Sequence, residues 1–215
     1  DNNAFGYDAL SSLTTGTNNT AMGNSALAAL TTTAGNTAFG KVALAASVTG
    51  SYNTGVGYLA LTSCLDGGSN VAVGYSALQA NTSGANNVAV GATALDANTT
   101  GHSGTAVGKD ALGSNTTAAA NTAVGFSAGA ATTTGDGNSF FGYEAGDAVT
   151  TSTDNTFIGK RAGDTQVSGA HSNVVLGASS DVSKTNAGGQ VVLGSAITGT
   201  DDATCTVGYN GNTAS

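Results

Sequence analysis

Proline and tryptophan are missing altogether, cysteine occurs twice, and charged side chains make up only 8% of the 215 residues. Each shortage excludes something. Without proline, no residue is barred from donating a backbone hydrogen bond, so a continuous ladder has no built-in break. Five Lys and Arg against 13 Asp and Glu leave a net charge of -8. No basic surface is available to neutralise phosphates, and nucleic acid is not an expected partner. No segment has the length and continuous apolarity of a membrane span, so membrane insertion is not expected either. Cys64 and Cys205 lie in widely separated repeats, roughly 40 Å apart at about 4.8 Å per rung, which is too far to bridge within one chain.

What fills the chain instead is a repeat. Glycine recurs at Gly6, Gly23, Gly40, Gly57, Gly74, Gly91, Gly108, Gly125, Gly142 and Gly159, a step of 17 residues, and continues with small changes at Gly177, Gly194 and Gly208. A fixed period of this length predicts a solenoid, and the same groups repeated along a line do not converge on one point as catalysis requires. The chain is therefore read as non-enzymatic, with no catalytic residue, no cofactor and no metal site. Residues 1–168 form the regular 17-residue repeats and 169–215 an irregular C-terminal continuation of the same solenoid. The chain opens at Asp1 already inside a repeat and ends at Ser215 without a recognisable cap, as a stretch of a longer protein would.

Within each unit the commonest run before glycine is Asn-Thr-Ala-Val, as in Asn121-Thr122-Ala123-Val124-Gly125, which suits a short strand. The residue just before glycine is never polar: Phe5, Met22, Phe39, Val56, Val73, Val90, Val107, Val124, Phe141, Ile158, Leu176, Leu193 and Val207. It is expected to face the core, with the residue two earlier on the same face. The Asn four before glycine, as at Asn19, Asn36, Asn53 and Asn70, is expected to form an amide ladder from rung to rung. Ala-Leu follows the glycine in seven successive units, Ala9-Leu10 through Ala111-Leu112, and becomes Ala128-Gly129, Ala145-Gly146 and Ala162-Gly163 in the next three. Two of those three gain Phe140 and Phe157 on the strand, so the two positions are expected to touch and exchange volume.

A second short strand is expected at the Thr-rich pairs such as Thr14-Thr15, Val48-Thr49, Leu65-Asp66, Thr82-Ser83 and Val167-Ser168, first member inward and second outward. A turn at positive φ follows at Gly16, Gly50, Gly67, Gly84, Gly101, Gly135 and Gly169. The fold class is thus all-β, a parallel β-solenoid (β-roll) of 17-residue coils extending on the order of 60 Å. One Val or Phe, one Leu and some Thr methyls per rung make a thin core against an ordering entropy of roughly 1 to 2 kcal/mol per residue. Side-by-side packing of copies, as a homotrimeric fibre, would offset that deficit.

The frame Asn70-Val71-Ala72-Val73-Gly74-Tyr75-Ser76-Ala77-Leu78 resembles two groups. One is the head repeat of trimeric autotransporter adhesins, with parallel β-rolls in a trimer; the other is the Ala-Val-Gly-Tyr repeat of predicted phage tail-fibre proteins. The 17-residue unit and the Thr-Thr-x-Gly turn are more similar to the second. The stretches Asn173-Val174-Val175-Leu176-Gly177 and Gln190-Val191-Val192-Leu193-Gly194 look like the transition found ahead of intramolecular chaperone domains in such fibres. The resemblance implies a structural segment of a viral tail fibre on the virion, supporting host attachment, with self and a host surface glycan or receptor as partners. A bacterial cell-surface adhesin head that binds matrix or glycans is the alternative.

The aromatics after the frame glycine, Tyr7, Tyr58, Tyr75, Phe126, Tyr143 and Tyr209, alternate with Asn24, Lys41, Lys109 and Lys160. Tyr58, Tyr75, Phe126 and Tyr143 form a possible glycan-stacking surface, with struts over the turn as the favoured reading. The Thr rank Thr15, Thr32, Thr49, Thr100, Thr117, Thr134 and Thr151 raises an ice-binding solenoid as a second alternative. His102 and His171 occupy equivalent places four rungs apart and cannot share a metal within one chain. Asp66-Gly67-Gly68 and Asp136-Gly137 read as turns, and the triplets headed by Asn18, Asn81, Asn98 and Asn115 as chance in a Thr-rich chain.

Overall fold

A computed structural model describes residues 1–165, 169–183, 186–209 and 212–214. Thirteen short strands, from β1 (Asn3–Phe5) through β2 (Thr20–Met22) to β12 (Val191–Ser195) and β13 (Cys205–Tyr209), stack in chain order as one parallel sheet. Register steps by 17 residues from β1 to β10, as in Thr54↔Val71, Gly55↔Ala72 and Val56↔Val73, then by 18 at Thr156↔Val174 and by 14 at Val191↔Cys205. A final strand, β14 (Asn212–Ala214), pairs antiparallel with β13, a turn-back that the sequence reading did not include. The rest of each coil is bonded rung to rung without being strand: Ser76 N–H donates to the Tyr58 carbonyl at 3.0 Å, Leu78 to Ala94 at 3.0 Å, and Thr82 to Thr99 at 2.9 Å.

The coil closes by three left-handed residues two, four and twelve places after the frame glycine, as at Ser76 (φ 53°), Leu78 (φ 50°) and Asn86 (φ 60°). Left-handed backbone costs a non-glycine residue roughly 1–2 kcal/mol. At the fourth place that cost is offset by complete burial of Leu27, Leu44, Leu61 and Leu78, each contributing about 1.5–3 kcal/mol. The frame glycines are constrained harder: a Cβ on Gly74 (φ +139) would lie 2.4 Å from the Gly91 carbonyl oxygen. Gly50, Gly67, Gly84 and Gly101 do not take positive φ; a Cβ on Gly67 would lie 2.4 Å from the Gly84 oxygen, yet the same place in other coils holds Thr33, Ala118 and Ser152, so the backbone there adjusts to a side chain. The expectation of a positive-φ turn at those positions is corrected accordingly.

Two further expectations are reversed. The middle strand residue, Ala21, Ala38, Ala72, Ala89, Ala106 or Ala123, is the buried one, while the larger residue before the frame glycine looks outward, Phe39 being 53% exposed. The reason is width. Across the coil from the strand stands Leu, and even at Gly55 an added Cβ would come within 3.3 Å of Leu44, so only alanine fits opposite leucine. The Thr-rich pairs are bends without strand structure, and both members look outward, with Val48 and Leu65 exposed. The inward residue is the one before them: Leu30, Ser47, Cys64, Asn81, Asn98, Asn115, Thr132 and Val149 are all buried. The pair Val167-Ser168 lies outside the described residues.

The Asn ladder is present. The side-chain oxygen of each Asn accepts the backbone N–H of the next, Asn53 to Asn70 and Asn70 to Asn87 at 2.9 Å each. Its amide donates to a turn carbonyl, Asn70 Nδ2 to Gly84 O at 2.9 Å. Gly104 interrupts the column yet still donates its N–H to Asn87 Oδ1 at 2.8 Å. The exchange of Leu for Phe is likewise a direct contact: a Cβ on Gly146 would sit 2.5 Å from the Phe140 ring, and one on Gly163 2.1 Å from Phe157.

Candidate functional site

Three longitudinal surfaces follow from this coil. The first is the outer face of the sheet. Its two columns carry Thr, Val or small polar residues on one side and Phe5, Met22, Phe39, Val90, Val107, Phe141, Ile158, Leu176 and Val207 on the other. Neither column contains a Lys, Arg, Asp or Glu in any of the thirteen parallel rungs. Exposed apolar surface of this continuity is unusual on a monomer, and exposed strand faces and edges are ordinarily guarded by charge.

The second surface is the ridge after the frame glycine. Because register is constant, its side chains stack along the axis. Lys41 lies 5.9 Å from the Tyr58 centroid, and Tyr58 and Tyr75 are 5.9 Å apart. Lys109 lies 5.4 Å from Phe126, Phe126 and Tyr143 stack at 5.3 Å with 12° between planes, and Lys160 lies 5.8 Å from Tyr143. The four aromatics named from sequence therefore share one ridge, half-exposed and packed mostly against one another's faces. Cation–π contact caps each stack. The lysines belong to the same column in the sequence, but their stacking on the rings emerges only once the register is fixed. The side chain of Tyr209 lies outside the description.

Beside the ridge runs a mostly uncharged column that carries Asp8, Asp110, Glu144 and Arg161. Glu144 accepts from Arg161 Nε at 2.6 Å, which holds its carboxyl below the usual range. Lys109 and Thr93 both donate to Asp110, with the same effect on that group. Asp96, partly buried and near Asp110, is pushed up by desolvation first and by that neighbour second. A cleft of about 450 Å³ opens beside Tyr143, Lys160 and Arg161, where the ridge gives way to Ala178.

The third surface is the Thr bend. Hydroxyls of its first rank donate along the axis, Thr82 to Thr99 O and Thr99 to Thr116 O at 3.0 Å each, and the second rank beside it is exposed.

The remaining candidates separate. His102 and His171 are exposed on distant rungs, and among the described residues no group of three or more His, Cys, Asp or Glu side chains could hold a metal ion. Burial pushes the Cys64 thiol up to about 11, so it is neutral, whereas Cys205 is exposed. Asn81, Asn98 and Asn115 are buried. They form a second amide ladder, Asn98 Nδ2 to Asn81 Oδ1 at 2.8 Å and Asn115 Nδ2 to Asn98 Oδ1 at 2.9 Å, which closes them to glycosylation in the folded chain. No helix among the described residues is long and apolar enough to cross a membrane. No family model, curated protein or solved structure matches the chain.

Proposed function

We propose that the chain is a rigid structural segment of a fibre, in which three copies lie parallel with their outer sheet faces turned towards one another. The observation that carries this reading is the uncharged strip along the whole sheet, apolar in every rung of one column and largely Thr and Val in the other. A strip about 60 Å long and about 10 Å wide offers on the order of 600 Å² per chain, comparable with the roughly 800 Å² per partner of a stable interface. A second copy matches it in length, period and lack of charge. The rod would carry load through its backbone ladders and hold a receptor-binding part away from a particle, which suits a viral tail fibre; an adhesin head on a bacterial surface would use the same geometry.

The test is Val90→Lys with Val107→Lys. Both side chains lie on the outer face, so the circular dichroism spectrum is expected to persist while the particle falls from three chains to one. An unchanged particle mass would contradict the assignment of this face. The ice-binding alternative rests on the two outward Thr ranks, and an absence of thermal hysteresis at millimolar concentration would dismiss it.

A further inference from the structure

We propose that the rung of Ala92 forms a notch in the aromatic ridge that takes one neutral pyranose ring of a carbohydrate. The ridge is built of two capped stacks, Lys41-Tyr58-Tyr75 and Lys109-Phe126-Tyr143-Lys160, separated by a single rung whose side chain is a methyl group. Backbone register runs through the gap unbroken, with Thr93 N–H bonded to Tyr75 O at 2.8 Å and Asp110 N–H to Ala92 O at 3.1 Å, so the gap is a missing side chain in an otherwise continuous column.

Its dimensions fit one ring. Tyr75 and Phe126 stand three rungs apart, about 14 Å at ~4.8 Å per rung, and Lys109 Nζ lies 5.4 Å on the near side of the Phe126 centroid. Roughly 9 Å therefore separates the Tyr75 ring from the ammonium, using that same rung spacing. A pyranose whose C–H face stacks about 4–5 Å above Tyr75 places its outward hydroxyls within reach of Lys109. Tyr75 is the most exposed of the four ridge aromatics, at 55%, as a ring with one uncovered face should be.

The walls supply the polar partners. Asp110 accepts from Thr93 and Lys109, and a carboxylate has further lone pairs for sugar hydroxyls. Asp96 stands close to Asp110, its carboxyl pushed up by burial first and by the Asp110 charge second. Two carboxylates against one ammonium disfavour an anionic ligand and suit the many donors of a neutral sugar. The parallel sequence Tyr7-Asn24-Lys41 has the same order of types, but there the intervening place holds an amide, bonded to the Ser25 hydroxyl at 3.0 Å.

The notch deepens the attachment reading and rests on it only for where the sugar is met. Saturation-transfer NMR on the full chain, with the methyl glycosides of glucose, galactose, mannose and N-acetylglucosamine as probes, tests it. At least one probe is expected to receive saturation on one face of its ring. The signal should fall at least tenfold in Tyr75→Ala and in Ala92→Tyr, and persist in Ala178→Tyr, which adds the same side chain elsewhere on the column. Tyrosine is native to this column, so Ala92→Tyr keeps the fold and checks the notch without disturbing the coil. No transfer to any probe, or full transfer in Ala92→Tyr, overturns the proposal. Particle mass is measured separately: three chains without sugar binding would sink the notch alone, and a monomer that binds sugar would sink the fibre alone.

Discussion

Phe140 lies between Gly129 and Gly146 and is fully buried, in a place where other rungs carry alanine opposite leucine. Truncation to alanine is expected to cost about 3–5 kcal/mol through the cavity it leaves. Gly146→Leu alone should also destabilise, since its first carbon already overlaps the Phe140 ring at 2.5 Å. Together the two changes restore the Ala and Leu combination of seven earlier coils, whose leucines tolerate the same left-handed backbone. Urea unfolding of the four proteins should therefore give a coupling energy of at least about 2 kcal/mol in the favourable direction. Additive losses would show that the two positions do not share volume. This exchange is legible in the sequence, because the loss of Leu and the gain of Phe fall in neighbouring units of one period.

At the scale of the element, the coil is held by polar columns as much as by its narrow apolar core. Asn70 is buried, accepts from Asn87 N–H and donates to Gly84 O. Asn70→Ala strands the Asn87 N–H and should cost about 2–4 kcal/mol, read as faster hydrogen exchange centred on Val71 and Val88; exchange unchanged there would deny the ladder its role. Further along, Asp181 is buried and accepts from Thr165 and from Val182 N–H, yet desolvation still pushes its carboxyl up to about 6. Between its ordinary value near 4 and that value, the folded chain keeps a proton that the unfolded chain has released. Stability of the C-terminal coils should therefore decline as pH rises from 4 to 7, by about 2–3 kcal/mol, with the decline complete once the folded group has ionised. Denaturant melts should show that slope, and Asp181→Asn should flatten it.

The Asn column was visible in the sequence because the residue type itself repeats. Facing was not. A period-two strand with Ala flanked by Thr and Val or Phe invites the larger residues inward, and only the width of the coil reverses that choice. The inward place before the Thr bends was hidden for a related reason. It changes from Leu30 to Ser47, Cys64 and Asn81, and Asn81, Asn98 and Asn115 are tolerated there because they bond along the axis, information carried by register and absent from hydropathy.

At the scale of the molecule, thirteen rungs stacked in parallel give a rod whose every coil touches only its neighbours, so stability grows with rung number. That rod presents two faces with different tasks in this account: an uncharged apolar strip for self-association and an aromatic ridge whose gap at Ala92 meets sugar. The glycine period made the rod legible, while the strip became evident only when the residues before each frame glycine turned outward.

The most direct test of the central claim is the mass of the native particle by light scattering at micromolar concentration. A mass of three chains, about three times 20.5 kDa, is the predicted result; a stable, soluble monomer would contradict it, since the apolar strip would then need no partner.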